Sequence, residues 1–326
     1  MRLANQARRN QSGVALITAV TIVAMASIAA VAMTQTLQFS IHRTSNILLA
    51  DQRYLYSLGG EAWARGQLIR DLNNGQSYDS LNEDWAQELP LTVVEAGQVA
   101  SKTSDLQGRF NLNNLYLTKD ADEEAKKQVK RQLELFQRLL ALLELDEGIA
   151  QATADWIDQD IDLQFPDGAE DNDYLGNTPP YRTANTLMSD PSELRLVKGV
   201  TPEFFGRLLP FVTTLPETTT INVNTAPKEL LRALDPGMDE PTVEELVTVR
   251  EESPFQSKQA FLDRLKALAD DNKLSIENFE AMIGVDSHYF LSETMVRMDN
   301  TSLALRSLLM KDGQGVYTLS RTQGAF

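Results

Sequence analysis

The chain has 326 residues, 42% of them hydrophobic and 23% charged, with a formal net charge of −16. That is length and apolar content enough for two or three domains with a true core, and a surface so acidic repels nucleic acid and attracts divalent cations. The absence of cysteine excludes disulfides, thiolate metal sites and cysteine nucleophiles, and the two histidines, His42 and His288, leave little for a histidine-rich metal site or a serine–histidine triad.

At the N-terminus, Arg2, Arg8 and Arg9 precede Gly13, and an apolar run then extends from Val14 to Met33, interrupted only by Thr18, Thr21 and Ser27. No charge falls between Arg9 and Arg43. A run of about 20 residues at helical rise spans about 30 Å, the thickness of a bilayer core. Residues 14–33 are therefore predicted to cross a membrane once, with the arginines holding the N-terminus in the cytoplasm. A secretory signal has a shorter apolar region with its small-residue cleavage site after it. Here the small residue, Gly13, comes before a full-length run. Cleavage between Gly13 and Val14 would remove only a basic leader, residues 1–13, and leave the membrane helix on the product. A plain signal anchor with a chance glycine is the alternative.

From Thr34 to Leu72 few breakers occur, and Leu37, Ile41, Leu48, Tyr54, Leu58, Trp63 and Leu68 recur at roughly helical spacing. One long helix is predicted to continue out of the bilayer and end at Asn73-Asn74-Gly75. Gly59, Gly60 and Gly66 are its weak points and places where another backbone can approach. Residues 91–95 and 98–104 read as strands. From about Asp120 to Gly284 the pattern is helical, most clearly over 125–145, where Val129, Leu133, Phe136 and Leu140 recur. Further helices are expected near 147–157, 191–198, 202–208, 226–234, 242–251, 257–268 and 277–283. Strands return at 289–297, 302–309 and 316–319, with turns at Asp299-Asn300 and Asp312-Gly313. The expected fold class is α+β: an N-terminal membrane-spanning helix plus an antiparallel sheet, with a large all-α domain inserted between the strands. Residues 34–110 and 285–326 would form the α/β unit and 111–284 the insertion.

Within the insertion, 155–173 holds eight carboxylates: Asp155, Asp158, Asp160, Asp162, Asp167, Glu170, Asp171 and Asp173. No lysine or arginine lies between Arg138 and Arg182. Pro166 and Gly168 make the segment a loop, and Trp156, Ile157 and Phe165 are expected to anchor it to the body. Hard cations take six to eight oxygens from carboxylates and carbonyls, with calcium favoured in a flexible all-protein cage. Asp158-x-Asp160-x-Asp162 opens like an EF-hand loop, but Leu163 stands at the sixth position and Ala169 at the twelfth, so it is not one. Three accounts stay open from the residues alone: a solvated acidic surface, an oxygen-ligand metal site, and a catalytic carboxylate pair. Residues 221–265 resemble helix-hairpin-helix modules. Their hairpin, Pro236-Gly237-Met238-Asp239-Glu240-Pro241, carries two carboxylates, and acids outnumber bases nine to six between Ala226 and Lys266. Packing or protein contact is expected there, not DNA binding.

The glycine–apolar junction resembles type IV prepilins and type II secretion pseudopilins. Those usually carry glutamate at the fifth mature position, where it is thought to pair with a neighbour's N-terminal amine; here that position is Thr18. A subunit without the carboxylate has none to offer, as befits a terminal subunit. Gly13-Val14-Ala15-Leu16-Ile17-Thr18, together with the phrases at 105–115, 154–158, 168–171 and Ile221-Asn222-Val223-Asn224-Thr225-Ala226, resembles the large K family of minor pseudopilins. The resemblance spans the whole chain. It implies a non-enzymatic subunit at the tip of a type II secretion pseudopilus, needed for pseudopilus initiation or capping and for export of folded proteins across the outer membrane. It further implies cleavage by the prepilin peptidase, N-methylation of Val14, an inner-membrane location with the C-terminal bulk in the periplasm, and bundling with minor pseudopilins I and J. Secreted cargo is a further candidate partner; nucleic acid is not. Calcium is the implied cofactor, held by Asp158, Asp160, Asp162, Asp167, Glu170, Asp171 and Asp173. The rival account is a membrane-anchored periplasmic hydrolase that uses the acidic loop.

Overall fold

A single unbroken helix, α1, runs from Gln11 to Asn74, about 96 Å at 1.5 Å per residue. The computed structural model describes residues 11–95, 97–269, 274–299 and 301–324, so Arg2, Arg8 and Arg9 of the leader lie outside the described residues. From Gly13 to Leu48 every residue of α1 is exposed; from Leu49 onward the helix turns one face to a sheet. Thr18, Thr21 and Ser27 bond back to carbonyls three or four residues earlier, so their hydroxyls are satisfied within the helix.

The sheet comprises β1 (Leu89–Val94), β2 (Gly97–Asp105), β7 (Tyr289–Met298), β8 (Thr301–Asp312) and β9 (Gly315–Gly324), in the order β1-β2-β7-β8-β9. Every pairing is antiparallel, and Val99 faces Val296 across the β2–β7 junction. The alternation in β7 buries Phe290, Ser292, Thr294, Val296 and Met298, the set on the α1 side. Ala64, Leu68, Trp85, Phe290, Leu309 and Val316 form one cluster there. Gly60 is the glycine that a close approach demands: a Cβ would stand 2.4 Å from the Thr294 side chain, whereas at Gly59 and Gly66 nothing lies within 4 Å.

Polar groups fasten α1 to the end of the chain. Glu61 is buried and accepts bonds from Arg321 Nε at 2.6 Å, Arg321 Nη2 at 2.8 Å, Ser307 at 2.7 Å and Thr318 at 2.7 Å. Lys311 Nζ lies 2.9 Å from Asp71 Oδ2 and also pairs with Asp79. The Glu61 contacts, with the ladder to β8, account for β9 running to residue 324 although its periodicity suggests a strand only over 316–319.

Between β2 and β7 lies the helical body. It holds α2 (Glu123–Leu142), α3 (Ile149–Ile157), α4 (Asp171–Tyr174), α5 (Pro202–Leu208), α6 (Lys228–Ala233), α7 (Glu240–Glu252), α8 (Lys258–Leu268) and α9 (Ile276–Phe279), with 3-10 turns among them. Its core is continuous, and Phe110 stacks on Phe136 with ring centroids 5.0 Å apart. The expectation of a purely helical insertion needs one correction. Two short parallel bridges pair β3 (Phe110–Asn111) with β4 (Val212–Thr213) and β5 (Ile221–Asn222) with β6 (Ile283–Gly284). Two-residue bridges have no period to read, so sequence periodicity cannot reveal them.

Buried asparagines replace missing backbone partners in the irregular stretches. Asn113 donates to Met188 O at 2.9 Å and Leu215 O at 2.8 Å and accepts from Met188 N at 2.8 Å. Asn224 exchanges two bonds with Phe255. Asn222 donates to Asp79 O, Asp105 Oδ2 and Ser287 Oγ, tying the helical body to the loop after α1 and to the end of β2.

Candidate functional site

The acidic loop is built outward from α3. Asp155, in its last turn, is fully buried and takes the amides of Gln164 at 3.2 Å and Ala169 at 2.8 Å. Burial pushes its carboxyl up to about 7, against the pull of those two amides. The chain folds so tightly over it that a Cβ on Gly168 would lie 2.2 Å from Asp155 Oδ2 and 2.5 Å from Gln164 O. Asp155 thus organises the loop and its oxygens are spent. Beneath, Trp156 and Ile157 are buried, and Trp156 meets Tyr174 edge-on at 5.2 Å. Phe165, expected to be a third anchor, is not one: it is 90% exposed, because the bonds that fix this turn run through its backbone and leave the ring in solvent.

Asp158 caps the end of α3, and Glu170 begins α4 through a reciprocal capping box with Asp173. The result is that carboxylate oxygens of Asp158, Asp160 and Glu170 converge within 4.8 Å of one another. Asp158 and Glu170 are buried, and Asp158 Oδ1 and Glu170 Oε1 have no hydrogen-bond partner among the described residues. Burial, and then the neighbouring charges of Asp160, Asp155 and Glu170, push the Asp158 carboxyl up to about 8; burial chiefly raises Glu170 as well. Orphaned carboxylate oxygens in a buried like-charged group are costly. A hard divalent cation supplies the missing counter-charge and accepts oxygen donors of this kind, so the donor set fits one.

The other candidate ligands are engaged by other groups or exposed. Asp171 accepts from Thr183 N at 3.2 Å and Thr183 Oγ1 at 3.0 Å and pairs with Arg182 at 3.4 Å. Lys198 sits 2.7 Å from Asp173 and holds its carboxyl below the usual range. Asp162 and Asp167 are exposed; the amide of the first reaches Asp160 Oδ1 at 2.8 Å and that of the second reaches Gln151 Oε1 at 2.9 Å. Two residues carry no charge signal and escape a reading by charge. Thr183 Oγ1 is 3.3 Å from Glu170 Oε2, and Asn185, whose Oδ1 is buried and unpartnered, places Nδ2 3.4 Å from Asp160 O.

In the hairpin segment three of the basic side chains are turned to acids: Lys228 to Glu244 at 3.4 Å, Arg232 to Glu240 at 3.7 Å and Arg264 to Glu245 at 2.8 Å. Arg250 is buried and donates to Val223 O at 2.6 Å. At the other end of the molecule, Gly13 and Val14 lie within α1, with nothing within 4 Å of a Cβ on Gly13. The stretch that follows is long and apolar enough to cross a membrane, with a mean hydropathy of 2.5 over its best window.

Residues 108–217 and 221–283 match two family models described as type II secretion system protein K. A type II secretion system protein K of Pseudomonas aeruginosa is 36% identical over 332 residues, covering 97% of this chain and 94% of the relative. The chain belongs to the type II secretion system protein K family. The Aeromonas hydrophila member is 31% identical over 93% of this chain and 94% of its own length. A chain in the crystal structure of the GspK–GspI–GspJ complex of enterotoxigenic Escherichia coli superposes with a TM-score of 0.71 at 25% identity, covering 87% of this chain and all of that one. The helix, antiparallel sheet and inserted helical body are thus the family's fold, and the family models lie on the helical body, the part that holds the acidic loop.

Proposed function

We propose that this chain is a minor pseudopilin that ends the type II secretion pseudopilus, assembles with minor pseudopilins I and J, and supports initiation or capping of the fibre and export of folded proteins across the outer membrane. It is cut between Gly13 and Val14 by the prepilin peptidase, methylated on Val14, anchored once in the inner membrane, and carries its sheet and helical body in the periplasm. The observation that carries this is α1 itself. It passes without a break from a bare, uncharged stretch to a face packed on the sheet. Leu37, Phe39, Ile41, Ile47, Leu48 and Leu55 are all exposed beyond the membrane stretch, and an apolar helix outside the bilayer calls for partner helices. The relative crystallised with GspI and GspJ supports the choice of partners.

Calcium is the proposed cofactor, held by Asp158, Asp160 and Glu170. It would neutralise their charge and lock the loop, a structural role. The hydrolase account is weaker: the paired carboxyl groups of glycosidases stand roughly 5–9.5 Å apart around space for substrate or water, whereas here the oxygens crowd within 4.8 Å and two of the three residues are buried.

The test uses the full-length chain, isolated in detergent from membranes of a cell that has the peptidase and both partners. The expected intact mass starts at methylated Val14, and the chain elutes with I and J. A product that retains Gly13, or a chain that elutes alone, removes the proposal.

A further inference from the structure

The loop that gathers the carboxylates also raises a row of apolar side chains into solvent. Ile161 is 72% exposed, Leu163 58% and Phe165 90%. They stand at alternate positions, Ile161 and Leu163 in a stretch without helix or strand and Phe165 in the turn at its end. This is not a frayed tip. Gln151 Nε2 donates to Phe165 O at 3.2 Å, Asp167 N to Gln151 Oε1 at 2.9 Å, Gly168 N to Gln164 O at 2.8 Å, and Asp155 takes the Gln164 and Ala169 amides. The backbone is fixed from both sides while the side chains are presented, which lowers the entropy lost on binding. A rigid exposed phenylalanine beside aliphatic neighbours has the character of an interface anchor.

The charge around the row selects the occupant. Asp162 and Asp167 flank Leu163 and Phe165, both are exposed, and neither belongs to an ion pair among the described residues. An anionic membrane is repelled by such a surface. A second copy would bring the same carboxylates against each other. We propose that Ile161, Leu163 and Phe165 form a docking ridge for a protein partner that offers an apolar pocket edged by lysine or arginine. The inference rests on the tip assignment only for the place where that partner is met.

Photocrosslinking in the secreting cell tests it. Benzoylphenylalanine replaces Phe165 in the full-length chain, and, as a control, Leu91, another exposed apolar residue, on the edge strand β1. Illumination is expected to give a protein adduct at 165 that is absent at 91, mapped by mass spectrometry to a peptide with lysine or arginine beside apolar residues. Asp162→Lys with Asp167→Lys is expected to cut that adduct about tenfold, the size of a lost close charge pair, while Glu203→Lys, on the exposed start of α5, leaves it unchanged. Crosslinks to lipid, to a second copy or to an acidic peptide overturn the proposal, and so does an adduct indifferent to the charge reversal or no more abundant than the control. Co-elution with I and J is measured in the same cells. A chain that forms that complex and yields no such adduct loses the docking ridge and keeps its place at the tip.

Discussion

Glu61 sits where a carboxylate has no business unless it is met: on the sheet-facing side of α1, almost without contact with water. Burial alone would raise its carboxyl, but the bonds from Arg321, Ser307 and Thr318 outweigh burial and hold it at about 2, below the ordinary 4.5. Because the folded value is the lower one, the clamp contributes its stability fully above pH 4.5 and loses it as pH falls toward 2. Arg321→Met leaves Glu61 charged and uncompensated. Arg321 is itself partly exposed, so the expected loss lies between the surface and buried limits, about 2 kcal/mol. Glu61→Gln in the Arg321→Met background should restore part of it. Denaturant unfolding at pH 7 and pH 3 reads both effects; an equal loss for Arg321→Met at the two pH values would show that Arg321 acts by packing and not by charge. None of this is legible in the sequence, because the two residues lie 260 positions apart and no local period links them.

At the scale of elements, the legible parts are those with a period. Leu133, Phe136 and Leu140 mark α2 and are buried in the structure, and the alternation of Phe290, Ser292, Thr294 and Val296 marks β7. The later part of β9 is illegible because its residues are polar and exposed and it is held by the ladder to β8 and by Glu61. The acidic loop is half legible. Its composition leaves a solvated surface, a metal site and a catalytic pair open, and the convergence of Asp158, Asp160 and Glu170, with Asp171 and Asp173 engaged by Arg182, Thr183 and Lys198, depends on the cap of α3 and the capping box of α4. As an apolar residue Phe165 is expected to anchor the loop; the loop's bonds run through its backbone instead. The loop makes its own prediction. A cation bound to the folded state alone adds about 2.7 kcal/mol at a hundredfold excess over Kd, several degrees in melting temperature for a domain of this size. Calcium should therefore raise the melting temperature of the full chain and a chelator should lower it. Asp158→Asn with Glu170→Gln should erase that difference and, by removing buried like charges, raise the melting temperature of the chelated protein. A calcium shift that survives the double substitution places the cation elsewhere.

At the scale of the molecule, the proposed function makes α1 both the anchor and the assembly element, and Thr18 is where it departs from the glutamate usual in pseudopilins. The hydroxyl there bonds to Val14 O at 3.1 Å and Ala15 O at 3.0 Å, so the Thr18 side chain is satisfied within its own helix and asks for no partner. A carboxylate at the same place in an apolar setting costs several kcal/mol unless a partner meets it. In a subunit within the fibre the next subunit's N-terminal amine can do so; a subunit with nothing above it gains nothing from the carboxylate. The helical body between β2 and β7 adds more than half the chain to the pilin plan, and the proposed end position is one where such bulk is tolerated. Thr18→Glu should therefore leave the complex with I and J and the rate of secretion within about twofold of wild type, once the variant's insertion has been confirmed by membrane fractionation. The equivalent loss of glutamate from a shaft subunit should abolish its incorporation. Crosslinkers placed near Thr18 and on the exposed face of α5 then report where neighbours lie. Adducts from Thr18 should run to one side of the fibre only, and α5 should meet no other pseudopilin. Pseudopilin adducts at both positions, or this chain recovered at regular intervals along the shaft, would move it from the tip into the body of the fibre and leave Thr18 without this explanation.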